Sequence, residues 1–196
     1  MVTAAPRQLS HPLQRLAGVA GLLGASVLVV NAAKRSHLIP TSALTQLLAP
    51  LAEVFALALI TALYLVCEGR IGRIGRIAFA VNYVALAALV GVEFVINLVF
   101  SRLSTDQIAV LRAGPLGAAL TVASLLFLVG SVGFAITLAS TAIPPRGALA
   151  LYGLGSVPVA LRAFVPESVL DASLVVLALG VAWLSMWLVG TRHAGN

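Results

Sequence analysis

The chain is a succession of apolar segments, each about as long as a bilayer is thick, joined by short connections that carry most of its charge. Residues 16–33 hold no charged side chain, and neither do residues 113–145. A helix needs about 20 apolar residues to cross the hydrocarbon core. Lipid offers no partner for backbone N–H and C=O groups, so such segments must bond within themselves as helices. Composition agrees: 61% of residues are hydrophobic and 9% charged, against roughly a quarter charged in soluble domains. A soluble domain with this balance has too few polar groups to cover its surface. The expectation is an all-α, polytopic transmembrane bundle of six spans, forming a single unit without a separate soluble domain.

The spans are placed at about residues 16–33, 44–67, 77–100, 116–142, 148–165 and 167–189. Residues 1–12 read as a flexible tail, residues 13–191 as the bundle and 192–196 as a C-terminal tail. The first segment has a basic flank and a small-residue end, Asn31-Ala32-Ala33, like a signal peptide. Five more apolar segments follow it, which favours an uncleaved span. Pro50 should bend the second span or free a carbonyl one turn before Glu53. Ser104, with Gln107 three residues on, reads as a capping box opening a short interfacial helix to Arg112. Ser168 and Asp171 read as a similar pair at the start of the sixth span. The fifth span, with Pro158 and Arg162 inside it, is the weakest of the six.

An even number of spans puts both termini on one side. Arg7, Arg15, Arg70, Arg73, Arg76, Arg146 and Arg192 then fall on that side, and Lys34, Arg35, Arg102, Arg112 and Arg162 on the other. The positive-inside rule makes the first side cytoplasmic. Lys34 is the only Lys among the 12 basic residues. That Arg bias, with abundant Ala, Val and Leu, suggests a GC-rich bacterial source and hence the bacterial cytoplasmic membrane.

Glu53 and Glu93 carry the chemistry that the sequence offers. Glu53 precedes Gly72 by 19 residues and Glu93 follows it by 21. In a helical hairpin turning near Gly72 both carboxyls lie at similar depth, facing the interior. An ionisable group inside lipid is a functional-site candidate by default. At least one of the two is expected to keep its proton at neutral pH unless Arg162 reaches it. Arg162 approaches the same depth, either as counter-charge or snorkelling to the headgroups. The bland alternative is a pair of neutral Glu side chains bonded to Asn97, hydroxyls or backbone. Asn82, Tyr64 and Tyr83 share another depth, as interhelical bonds or as a polar lining.

Arg70, Arg73 and Arg76 recur every third residue beside the membrane and suit anionic headgroups. Small residues recur at Gly18, Gly21 and Gly24, and again at Gly114, Gly117, Thr121 and Ser124, which lets helices approach closely, within the chain or between protomers. The lone Cys67 excludes an intrachain disulfide and reads as a small apolar residue rather than a lipid-modified or redox thiol. The net charge of +6 is scattered singly, with no basic stripe interleaved with aromatics, which argues against nucleic acid. His11, His37 and His193 lie outside the expected spans, without H-E-x-x-H, which argues against a bundle metal site or a Ser–His protease. No Walker A or Rossmann fingerprint is present, so no cofactor is expected.

The start Arg15-Leu16-Ala17-Gly18, the basic second loop and the compact last hairpin resemble the small uncharacterised six-helix membrane proteins of bacteria. The resemblance implies a six-helix layout and no activity. Function is therefore expected to be non-enzymatic: ion- or proton-linked transport or sensing of a small solute through Glu53 and Glu93, with Arg162 as counter-charge. The alternatives are an accessory subunit of a larger membrane complex and, third, a lipid-modifying enzyme using either Glu as general base. Expected partners are membrane lipids and, at most, a membrane protein or a second copy.

Overall fold

The computed structural model describes residues 10–190; the expected tails at residues 1–9 and 191–196, with Arg7, Arg192 and His193, lie outside them. Eight α-helices follow one another: α1 (His11–Arg35), α2 (Ala43–Leu48), α3 (Leu51–Cys67), α4 (Gly72–Phe94), α5 (Thr105–Ala113), α6 (Pro115–Thr141), α7 (Arg146–Ala160) and α8 (Glu167–Gly190). A π-turn over Val95–Val99 and a 3-10 turn over Phe100–Arg102 extend α4. No strand occurs among the described residues. Five segments are long and apolar enough to cross a membrane: His11–Arg35, Ala43–Cys67, Gly72–Arg102, Pro115–Thr141 and Glu167–Gly190.

The six long helices form a closed ring in chain order. α1 packs on α3, α3 on α4, α4 on α6, α6 on α7, α7 on α8, and α8 returns to α1. Small residues set the closest approaches. A Cβ on Gly130 of α6 would stand 2.6 Å from the backbone of Asn82 on α4. A Cβ on Gly155 of α7 or on Gly180 of α8 would likewise stand 2.5 Å from the backbone N of Leu177 or of Tyr152 on the facing helix. The glycine face of α1 is covered within the chain: Gly18 and Gly21 meet α8 at Val189 and Ser185, and Gly24 meets α3 at Phe55. Packing of this kind, rather than hydrophobicity, holds helices together in lipid.

The ring has two unlike ends. At the proximal end, where α1 begins and α8 finishes, Leu63, Phe134, Leu138, Leu149, Leu184 and Leu188 are fully buried and fill the centre. Thr141 donates to the buried Cys67 there at 3.8 Å. Arg73 and Arg76 are exposed on the first turns of α4, and Arg70 on the turn before them. At the distal end, Arg35 of α1 pairs with Glu167 and with Asp171 of α8 (3.3 Å to the latter), which latches the two helices.

Several expectations need correction. The fifth segment is shorter than residues 148–165: α7 stops at Ala160, two residues after Pro158, and residues 161–165 leave the helix. At 15 residues it spans only about 22 Å at ~1.5 Å per residue, and it is not among the five membrane-length helices. α1 starts at His11, so His11 and Pro12 belong to the helix and not to a tail. Ser168 and Asp171 do not form a capping pair. The helix already begins at Glu167, and Asp171 instead accepts from Arg35 and Ser36. The Ser104–Gln107 capping box is present and opens α5. Pro50 breaks the second span, so that α3 restarts at Leu51.

Candidate functional site

Two irregularities on neighbouring helices meet at the distal half of the ring. The break at Pro50 puts Glu53 in the first turn of α3 rather than in mid-helix. The π-turn after Phe94 inserts an extra residue into the α4 ladder and holds Asn97; such turns recur at functional sites. Between them lies a cavity of about 120 Å³ lined by Asn31, Lys34, Glu53, Glu93, Asn97 and Arg162, with Arg35, Tyr152 and apolar side chains making up the rest. That is room for several waters or one small solute.

The polar lining is largely a single chain of bonds. Lys34 Nζ donates to Asn97 Oδ1 at 2.7 Å. Asn97 Nδ2 donates to Glu93 Oε2 at 2.8 Å and to its own helix at the Glu93 carbonyl at 3.0 Å. Arg162 Nη1 donates to Glu93 Oε1 at 2.9 Å. Glu93 therefore has both oxygens engaged, one by a guanidinium and one by an amide that Lys34 orients. Glu53 differs. Its Oε2 is buried and has no hydrogen-bond partner, and the same holds for Oδ1 of Asn31, which also lines the cavity.

A second, wider space adjoins the first. α4 and α6 touch closely at Gly130, but toward the distal end they enclose a groove of about 250 Å³. Its lining shares Glu53, Glu93, Phe127 and Arg162 with the cavity, so the two lie on either side of the same residues. Gly117, Thr121 and Ser124 of α6 form one wall, and Arg112 and Phe164 stand at its edge. Among the described residues no helix covers this face: Thr121, Leu125 and Phe164 are exposed.

The remaining polar residues separate into different roles. Asn82 Nδ2 donates to Tyr152 Oη at 2.9 Å, an interhelical bond between α4 and α7 among fully buried groups. Tyr64 stacks on Phe79 with ring centroids 4.2 Å apart, and the half-exposed Tyr83 tilts against the other side of that ring. Asn82, Tyr64 and Tyr83 thus line no common polar space, whereas Asn97 joins the glutamates. From the sequence, Asn31 and Lys34 read as the end of the first span, with Lys34 among the basic residues of the non-cytoplasmic side. The one available signal was that Lys34 is the sole Lys of the chain, placed at the same end as Glu53, Glu93 and Arg162. The chain matches no family model, no curated protein and no solved structure.

Proposed function

We propose that this multi-pass membrane protein binds a proton or small cation at Glu53 and links that binding to the carriage or sensing of a small solute. The observation that carries the proposal is the contrast between the two carboxyls. Glu93 is a fixed partner of Arg162 and Asn97, while Glu53 Oε2 is buried and unpartnered beside them. A buried acceptor without a donor costs about 1–3 kcal/mol. A proton on Glu53 Oε2 that finds an acceptor in the cavity, or a cation bound at that oxygen, would recover that cost. Broken helices lining a mid-membrane space are a recurrent way to build such sites, and both irregular helices here face this one. The packed leucines at the proximal end close the cavity on that side, so a carrier must open there and a sensor need not.

The same proposal includes the layout: six crossings in a bacterial cytoplasmic membrane with both termini cytoplasmic. α7 serves as the fifth crossing, before α8 as the sixth, although it is short. Residues 161–165 beyond it are non-helical with Ala163 and Phe164 exposed, as suits a crossing that ends at the headgroup level, because irregular backbone is not left facing lipid at membrane depth. Arg70, Arg73 and Arg76 then meet anionic headgroups on the cytoplasmic face. Reporter fusions at Asn196 and within residues 101–113 test this; a C-terminal reporter active only outside the cytoplasm overturns it.

One observation favours a second reading. Glu53 lines the groove between α4 and α6 as well as the cavity, which is where a lipid-modifying enzyme would need its general base. The accessory-subunit reading is weaker, because the glycine face of α1 is already covered by α8 and α3. The deciding experiment uses proteoliposomes with an entrapped pH-sensitive dye under an imposed membrane potential. Proton flux above that of empty vesicles, abolished by Glu53→Gln and kept by Glu68→Gln on the exposed proximal turn, supports carriage. Flux that survives Glu53→Gln refutes the assignment to Glu53.

A further inference from the structure

We propose that the distal groove between α4 and α6 binds an anionic phospholipid, its phosphate held by Arg112 and Arg162 and an acyl chain lying along the small-residue face of α6. The inference is independent of proton exchange at Glu53 and holds whether or not that occurs.

The rim supplies the anion chemistry. Arg112 stands over the Phe100 ring, 5.5 Å from its centroid, and has no carboxylate partner among the described residues. Arg162 engages only Nη1 with Glu93. A guanidinium carries five N–H donors in a planar fork, so most of that fork has no protein partner among the described residues. Two such forks at one mouth suit the oxygens of a phosphate better than any other common membrane group. The height is right as well. Arg112 closes α5, the short capped helix that joins two membrane-length segments at the distal end.

The walls supply the apolar half of the recognition. Below the rim the groove is lined by Leu89, Val92, Leu120, Leu125 and Phe127, with Phe164, 87% exposed, as a flap at the edge. Thr121 and Ser124 present too little bulk to fill the space themselves, while Gly117 lets α6 pass directly against the Arg112 carbonyl. Glu53 and Glu93 also line the groove and Glu93 holds one side of Arg162, so their negative charge keeps a phosphate on the unpartnered side of that guanidinium and leaves the interior to hydrocarbon. The mouth opens sideways through exposed residues of helices long enough to span a bilayer, so the surrounding phase is itself the supply of the ligand. A free phosphate would leave the apolar walls bare, and a second protein helix would leave both guanidinium forks without acceptors.

Native mass spectrometry of the delipidated full chain in detergent tests this, with phosphatidylglycerol and phosphatidylcholine of identical acyl chains added in turn. The wild type should retain phosphatidylglycerol preferentially. Arg112→Gln should weaken retention about fivefold, as expected for one cation near a headgroup. Thr121→Trp, which fills the groove, should abolish retention while circular dichroism and elution volume stay unchanged. Arg73→Gln with Arg76→Gln, on the proximal surface, should leave the retained lipid in place. Equal retention of phosphatidylcholine overturns the proposal, and so does displacement by inorganic phosphate, which would make this a free-anion site. A dimer that Thr121→Trp dissociates also overturns it, because a second copy would then fill the groove.

Discussion

Removing the guanidinium of Arg162 tests the cluster most searchingly, because two known regimes predict different sizes. Exposed ion pairs contribute about 0–1 kcal/mol, whereas stripping one partner from a fully buried pair costs about 3–5 kcal/mol. The Arg162 and Glu93 side chains are 27% and 18% exposed, so the pair lies between these limits. Glu93 also keeps its Asn97 bond when Arg162 is lost, with Lys34 behind it. Arg162→Ala should therefore destabilise by about 2 kcal/mol, above the surface range and below the buried one. For a chain of this size that corresponds to a fall of roughly 4–8 °C in Tm. Adding Glu93→Gln removes the stranded carboxylate and should recover about half of the loss. Thermal unfolding in detergent of both single variants and the double variant gives the coupling energy directly. An Arg162→Ala loss below about 0.5 kcal/mol, or strictly additive losses, refutes the pairing.

Two further substitutions test the packing. Gly130→Ala puts a Cβ 2.6 Å from the backbone of Asn82 and should cost about 1–3 kcal/mol by overpacking. Gly91→Ala, with nothing within 4 Å of the new Cβ, should be neutral or stabilise by up to about 1 kcal/mol through helix propensity; the same thermal assay reads both. Tyr152→Phe strands the Asn82 amide, whose Oδ1 is already unpartnered. It should cost about 1–3 kcal/mol and speed amide exchange where α4 meets α7.

Much of the fold was legible because lipid imposes one rule on backbone groups and one length on helices. The membrane-length segments, the break at Pro50 and the Ser104–Gln107 cap follow from hydropathy, a missing N–H and a spacing of three. The end of α7 at Ala160 was harder, since apolar residues continue past Pro158 and only tertiary cover decides where the helix stops. The ring order is invisible to a single helix pattern. Periodicity shows that Gly18, Gly21 and Gly24 share a face, and that Gly117, Thr121 and Ser124 do, but not that α8 and α3 cover the first while the second lines a groove. The site was half legible. Glu53, Glu93, Asn97 and Arg162 stood out as polar groups in apolar segments. Lys34 did not, because a basic residue at a span end ordinarily snorkels to water. Its reach to Asn97 depends on a π-turn that has no sequence signature.

The central claim is that Glu53, and not Glu93, is the exchangeable carboxyl. Infrared difference spectroscopy of the reconstituted protein across a pH titration measures this directly, because a protonated carboxyl has its own C=O stretch. The account predicts a carboxylic-acid band that appears and disappears with pH in the wild type, vanishes in Glu53→Gln and persists in Glu93→Gln. A band that survives Glu53→Gln but is lost in Glu93→Gln, or no titrating band within the bundle, would contradict it.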